Sequence, residues 1–195
     1  MEILLIRHGE SEADILNVHE GSADFPLTEN GINQAEKMAN RVKQEFSPDF
    51  IWSSTMIRAK QTAEILANVI SCPIEFTAEL REHDNGNIAG KPLDEVPFPS
   101  WLLPHDKWGE YGESKIEFRA RGEHILSYIL KNSNQYKRIA IVTHGGMISR
   151  LIESFLQLPV NHNIFFKTGD TGIHLLEYSE QYKFIKFTNS VTHLN

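Results

Sequence analysis

The chain has 195 residues, of which 41% are hydrophobic, with a single cysteine and a formal net charge of −7. That length suits one domain with a substantial core, and the acidic balance, with a pI of about 5.7, excludes the broad basic field needed to hold nucleic acid or an acidic membrane surface. A lone Cys72 rules out an internal disulfide and suits a reducing compartment, and no run of ~18 apolar residues offers a membrane span, so a soluble, cytoplasmic protein is expected.

Ile3 to Ile6 is short and continuously apolar, as in a strand covered on both faces of a parallel sheet, and it ends in Arg7-His8-Gly9. Thr28 is a natural cap for a helix reaching about Phe46, because Ile32, Ala35, Ala39, Val42 and Phe46 recur at helical spacing. Phe50-Ile51-Trp52 reads as the next strand, closed by Ser53-Ser54 and followed by a helix carried by Ile57, Ala59, Ala63, Leu66 and Ile70. Pro73 to Phe76 predicts a third short strand after a Ser-Cys-Pro turn.

Residues 81–113 break this rhythm, with prolines, four glycines and Trp101 and Trp108 among charged residues. Such a stretch is a long loop or small lid, a class of segment that is usually functional. A helix returns from Ser114 to about Asn132, with Phe118, Ile125, Tyr128 and Ile129 on one side and Gly122 as a weak point. Ile139 to Thr143 is the second buried strand and ends in His144-Gly145-Gly146. Met147, Ile148, Leu151, Ile152 and Phe155 then give the following helix its apolar face. Ile173 to Tyr178 and Tyr182 to Phe187 predict two strands joined by the Ser179-Glu180-Gln181 turn. The alternation predicts an α/β three-layer sandwich with a largely parallel central sheet, helices on both faces and one antiparallel edge strand. A single domain is expected over residues 1–195, with the lid at about 81–113.

His8 and His144 each follow a predicted buried strand. Open α/β sheets bind ligands just beyond the carboxyl ends of their strands, so both histidines can meet over one pocket. The remaining histidines, His19, His83, His105, His124, His162, His174 and His193, read as structural, with His83 and His105 available to line the pocket from the lid. No histidine pair brackets a glutamate at i, i+4 and no Cys/His cluster has ligand spacing, so neither a metal nor a cofactor is expected.

Four spaced motifs carry a resemblance. They are Arg7-His8-Gly9; Ser53 to Ala63 with Arg58 at its strand-to-helix junction; Leu80-Arg81-Glu82 ahead of Gly86; and Thr143-His144-Gly145. With Pro26-Leu27-Thr28-Glu29-Asn30-Gly31, their order resembles the small phosphatase branch of the histidine phosphatase superfamily, the group that also holds the cofactor-dependent phosphoglycerate mutases. The resemblance runs from Ile3 to about Ile148. It implies that His8 takes the phosphoryl group through Nε2, that Arg7 and Arg58 grip the phosphoryl oxygens with guanidinium forks, and that His144 stabilises them. Gly145 would add a backbone amide at a helix start. It further implies that Glu82 protonates the leaving alkoxide and then activates water, with Glu79 as its main competitor; a phosphate dianion nearby would keep such an acid protonated closer to neutral pH.

One position departs from the family pattern. Asp14 stands where many relatives carry a phosphate-binding asparagine, so either Asp14 turns away while Asn17 supplies the amide, or the pocket tolerates a weaker grip on phosphate. The function expected is a metal-independent phosphatase that hydrolyses phosphomonoesters of small metabolites through phosphohistidine. Hydrolysis is preferred to phosphoglycerate mutase-type transfer because only about thirty residues are given to the excursion that could exclude water. A phosphoprotein phosphatase or a silent phosphate-binding module are the alternatives. The expected partner is a small phosphorylated substrate, with no nucleic acid or membrane, in a monomer or in a homodimer paired through the Tyr182 to Phe187 edge.

Overall fold

Side chains alternate across a strand, and here the alternation divides the core in two. In the computed structural model, which describes residues 1–100, 102–179 and 181–195, strand β1 (Glu2–Arg7) sends Ile3 and Leu5 to one face and Leu4 and Ile6 to the other. Strands β2 (Phe50–Ser54), β3 (Ile74–Thr77) and β4 (Arg138–Thr143) run parallel in one sheet with β1. Strand β5 (Ile173–Tyr178) pairs antiparallel with β1, and β6 (Lys183–Ser190) pairs antiparallel with β5. The spatial order is β3-β2-β4-β1-β5-β6, a largely parallel sheet with an antiparallel edge.

Helices α2 (Glu29–Glu45) and α3 (Ile57–Ile70) cover the Leu4/Ile6 face, while α4 (Lys115–Asn132) and α5 (Gly145–Leu156) cover the Ile3/Leu5 face. Thr28 caps α2 as expected, its Oγ1 accepting from Gly31 N at 2.9 Å, and a Ser114–Glu117 capping box starts α4. Ile32, Ile57 and Tyr128 do not join the core and are 39%, 38% and 46% exposed. On α2 the buried stripe runs through Gly31, Ala35, Met38, Ala39 and Val42, which turns Ile32 outward. Gly122 is no weak point either, since a Cβ there would lie 2.7 Å from Arg150 Cβ and its absence lets α4 and α5 close on each other.

A short helix, α1 (Glu12–Leu16), follows β1; at five residues it is too brief to leave a period in the sequence. The segment expected to form a lid is tied to the body at several places. Gly90 N donates to His19 O at 2.8 Å and Leu93 N to Asn17 O at 3.0 Å, while Arg121 of α4 donates to the carbonyls of Glu79, Arg81 and Glu82 and pairs with Glu113. The expected aromatic Trp101 and the turn residue Glu180 lie outside the described residues. Among the described residues, no helix is long and apolar enough to cross a membrane.

His174 of β5 is buried, with Nδ1 accepting from Asn189 N at 3.3 Å and Nε2 lying 2.9 Å from Thr168 Oγ1. Burial pushes its pKa down to about 4 from an ordinary 6.5. Above pH 6.5 folded and unfolded chains are both neutral here, so the group adds no pH dependence. Between pH 6.5 and about 4 the unfolded chain takes up a proton that the folded one refuses, and stability falls. His174→Gln should remove about 2 kcal/mol of the stability lost between pH 7 and pH 4.5, read as urea midpoints at the two pH values. An unchanged difference would show that His174 takes no part in the acid response.

Candidate active site

Parallel strands β1 and β4 are neighbours, with Arg7 opposite Thr143, and His8 N donates to Thr143 O at 3.0 Å. From β1 the chain leaves over the α2 face toward β2; from β4 it leaves through α5 over the other face toward β5. The connections diverge at this point, which opens a crevice at the carboxyl ends of the two strands. His8 and His144 sit there, fully buried, with ring centroids 5.0 Å apart.

His8 Nδ1 lies 2.8 Å from the Gly9 carbonyl. A carbonyl only accepts, so Nδ1 carries the proton and Nε2 keeps its lone pair. Burial first, then the Arg58 and Arg7 guanidiniums, hold the imidazole pKa well below the ordinary histidine range. Arg58 Nε donates to that Nε2 at 3.2 Å, and its two Nη atoms donate to the carbonyls of Ala23 at 2.8 Å and Gly21 at 3.3 Å. Arg58 is itself fully buried, and α3 carries it in at the position that follows β2.

His144 is held neutral by the same causes, burial first and then Arg58. Its Nε2 lies 2.9 Å from Ser54 Oγ, which already accepts from Met56 N at 3.2 Å. The Ser54 proton is free to point at Nε2, and in that tautomer the imidazole proton sits on Nδ1, a buried atom with no partner. Arg7 Nε is likewise buried and unpartnered, while Arg7 Nη1 donates to Thr168 O at 3.0 Å and lies 3.2 Å from Asp170 Oδ1. Two orphaned donors beside a neutral imidazole lone pair suit an anion with several oxygens, since a buried donor left unmatched costs about 1–3 kcal/mol.

Glu82 faces this point from the lid. Its Oε2 accepts from Gly146 N at 2.8 Å and its Oε1 from His83 N at 2.8 Å. A Cβ on Gly146 would stand 2.3 Å from Oε1, so the α5 start can approach the carboxylate only because that position is glycine. Gly145 precedes it at the helix start, with Arg7 Cδ 3.8 Å from where its Cβ would be. Glu79, the competitor, is exposed, and its Oε2 lies 3.9 Å from His124 Nδ1 instead.

Asp14 is at the third position of α1, where its Oδ2 accepts from Ser11 N at 2.8 Å and lies 3.2 Å from Ser11 Oγ. It lines the mouth of a cavity of about 340 Å³ that opens over Glu20, Glu82 and Gly146 and is walled by His19, Phe98 and Trp108. Asn17 closes α1 in the left-handed conformation, exposed, and is not among the cavity's lining residues. His83 does line the cavity, whereas His105 is exposed beside Asp106.

Two acidic residues here went unread in the sequence. Glu20 places Oε1 3.5 Å from Arg58 Nε and Oε2 3.9 Å from His8 Nε2, and accepts from Ser11 Oγ at 2.5 Å. Asp170 pairs with Arg7, and burial raises its pKa. The signal for Asp170 was available: it sits in Gly169-Asp170-Thr171-Gly172 just before β5, and an antiparallel strand begins where its parallel neighbours end. Glu20 has no such signal, because only the folding of the loop after α1 returns it to His8. Among the described residues, no three His, Cys, Asp or Glu side chains are grouped so as to hold a metal ion.

The family model for the histidine phosphatase superfamily, branch 1, matches residues 3–191. The probable phosphoglycerate mutase GpmB of Photorhabdus laumondii is 30% identical over 190 residues, covering 91% of this chain and 85% of its own. Two solved structures are similar throughout. The phosphoserine phosphatase of Entamoeba histolytica, in complex with 3-phosphoglyceric acid, is 26% identical with a TM-score of 0.84, over 100% of this chain and 99% of that one. The alpha-ribazole phosphatase of Shigella flexneri is 26% identical with a TM-score of 0.86, over 98% and 97%.

Proposed function

The chain belongs to the histidine phosphatase superfamily, branch 1, and from that premise we propose that it is a phosphatase that hydrolyses small phosphomonoesters through a phosphohistidine at His8, without a metal. The observation that carries this reading is the His8 imidazole. It is buried, its tautomer is fixed by Gly9, and its Nε2 lone pair stands among two arginines and the unpartnered Nδ1 of His144.

In the first half-reaction His8 Nε2 attacks phosphorus, an N–P bond forms, the P–O bond to the leaving group breaks, and Glu82 gives its proton to the departing oxygen. Arg7, Arg58 and His144 Nδ1 donate to the phosphoryl oxygens, whose charge is the main thing to be stabilised in this class of transfer. In the second, Glu82 takes a proton from water, the new O–P bond forms and the N–P bond breaks, which releases inorganic phosphate and restores the imidazole lone pair.

Hydrolysis is favoured over mutase-type transfer by the cavity. A mutase must retain a second anionic phosphate beside the first, yet among the described residues the lining of this cavity includes Asp14, Glu20 and Glu82 and no lysine or arginine; Arg81, Lys107 and Arg121 line the adjoining cavity that shares Glu82. The phosphatase names of the two structural relatives agree with this choice. The test is a panel of phosphomonoesters, phosphoglycerates included, assayed for free phosphate. Stoichiometric release is expected; phosphate moving between positions of phosphoglycerate without release would overturn hydrolysis.

A further inference from the structure

The cavity over the site has a charge pattern that a simple phosphate pocket would not need. Two cations, Arg7 and Arg58, face the phosphoryl position, and each already holds a carboxylate: Asp170 at 3.2 Å and Glu20 at 3.5 Å. A phosphoryl group that takes Arg58 strips Glu20 of its counter-charge. Glu20 then stands beside a dianion, with Asp14 lining the same cavity, and like charges so close repel strongly. A substrate that brings its own cation next to the phosphate relieves that repulsion; one with a second anion adds to it.

The aromatic part of the lining fits the same ligand. His19 stacks edge-on against Phe98, with centroids 5.0 Å apart, and against Trp108 at 4.7 Å, and Phe98 and Trp108 are 4.9 Å apart. His19 Nε2 lies 2.6 Å from the Val96 carbonyl, so its proton is spent there, and the wall offers ring faces and edges in place of donors. Aromatic rings and carboxylates lining one cavity form a setting that attracts an ammonium. Arg81, Lys107 and Arg121 line a neighbouring cavity that shares Glu82, where Arg121 pairs with Glu113 and Lys107 with Glu117, and Lys115 and Arg150 line an apolar cavity of about 330 Å³ that shares His83, Trp108 and Gly146. These last two are also engaged, Arg150 by Glu153 at 2.5 Å and Lys115 by the His162 carbonyl at 3.1 Å.

We propose that the substrate is the phosphomonoester of an amino alcohol, its ammonium held by Glu20 and Asp14 together with the His19–Phe98–Trp108 wall. This rests on the phosphatase reading and names the leaving group that the site prefers. A cavity of about 340 Å³ limits that group to a small one. Glu20 thereby acts as a specificity residue: it occupies Arg58 when the site is empty and transfers to the substrate's nitrogen when phosphate takes the guanidinium.

The experiment compares kcat/KM at pH 7 for phosphoethanolamine, its neutral isostere propyl phosphate and the anionic phosphoglycolate, with p-nitrophenyl phosphate as a common reference. Phosphoethanolamine should exceed propyl phosphate at least tenfold, with phosphoglycolate lowest. In the double variant Glu20→Gln, Asp14→Asn the ratio of phosphoethanolamine to propyl phosphate should fall about tenfold, a ratio that a general loss of activity does not move. Equal or inverted preference in the wild type, or an amine advantage that survives in the double variant, would overturn the substrate class while release from p-nitrophenyl phosphate still upheld the phosphatase. No release from any of the four would overturn both.

Discussion

Replacing His8 with alanine is expected to reduce phosphate release by about 10⁴-fold or more, the loss typical when a member of a unit that makes a covalent intermediate is removed. The reason lies in what remains. Arg7, Arg58 and His144 would still face the phosphoryl position, so the variant should bind inorganic phosphate or vanadate, and residual turnover would come from electrostatic stabilisation of direct attack by water. Wild-type protein quenched at alkaline pH during turnover of a labelled phosphomonoester should carry an acid-labile phosphate that the variant lacks. Anion binding, followed as a rise in Tm, separates a folded, chemically silent variant from an unfolded one. A folded variant that retained turnover within about tenfold of wild type would eliminate the phosphohistidine route.

That prediction draws on features that differ in how far the sequence alone revealed them. The two strand-end histidines were legible because a short apolar run followed by a polar tripeptide marks both the strand and its exit, and β1 and β4 have to be central to be apolar on both faces. Their adjacency was not. Residues 8 and 144 meet because β4 inserts between β1 and β2, a choice of strand order that local patterning does not encode. Glu20 was missed for a related reason: its place is set by the pairing of residues 17–19 with the lid at 90–93, a contact between two irregular segments. Asp14 was legible as a departure, but its partner Ser11 was not, because the five-residue α1 that brings the two together leaves no helical period. Ile32 and Tyr128 show the ordinary error of helical periodicity, which fixes the stripe to within a residue and leaves its edges open.

The placement of these residues also divides the labour around phosphorus. The framework supplies the fixed parts, since His8, His144 and Arg58 are all fully buried, the histidines directly after strands and Arg58 in the first turn of α3. The residues that the proposed mechanism asks to change protonation or partner, Glu82 and Glu20, come from loops that hydrogen bonds tether and the core does not enclose. Rigid charge stabilisation with adjustable acid and base is the arrangement a two-step transfer needs, because the same oxygens must be held while the proton travels in opposite directions.

Replacing Glu82 with glutamine should separate the two steps. An alkyl phosphate leaves as a strongly basic alkoxide and needs the acid, so its kcat should fall by about 10²–10⁴-fold. p-Nitrophenolate leaves without a proton, so the first step with that substrate should persist. The second step needs a base for water with either substrate, and the glutamine amide cannot accept a proton. The variant given p-nitrophenyl phosphate should therefore release close to one equivalent of nitrophenolate per site in a burst and then stall with phosphate on His8. The amide keeps the size of the carboxylate but leaves one of the Gly146 and His83 N–H groups facing an NH₂, so some loss of positioning is built into the variant. Positioning alone predicts something different: a uniform decline on both substrates, with no burst and no accumulated phosphohistidine. That result would assign Glu82 to holding the start of α5 and return the search for the acid to Glu20, whose Oε2 lies 3.9 Å from His8 Nε2.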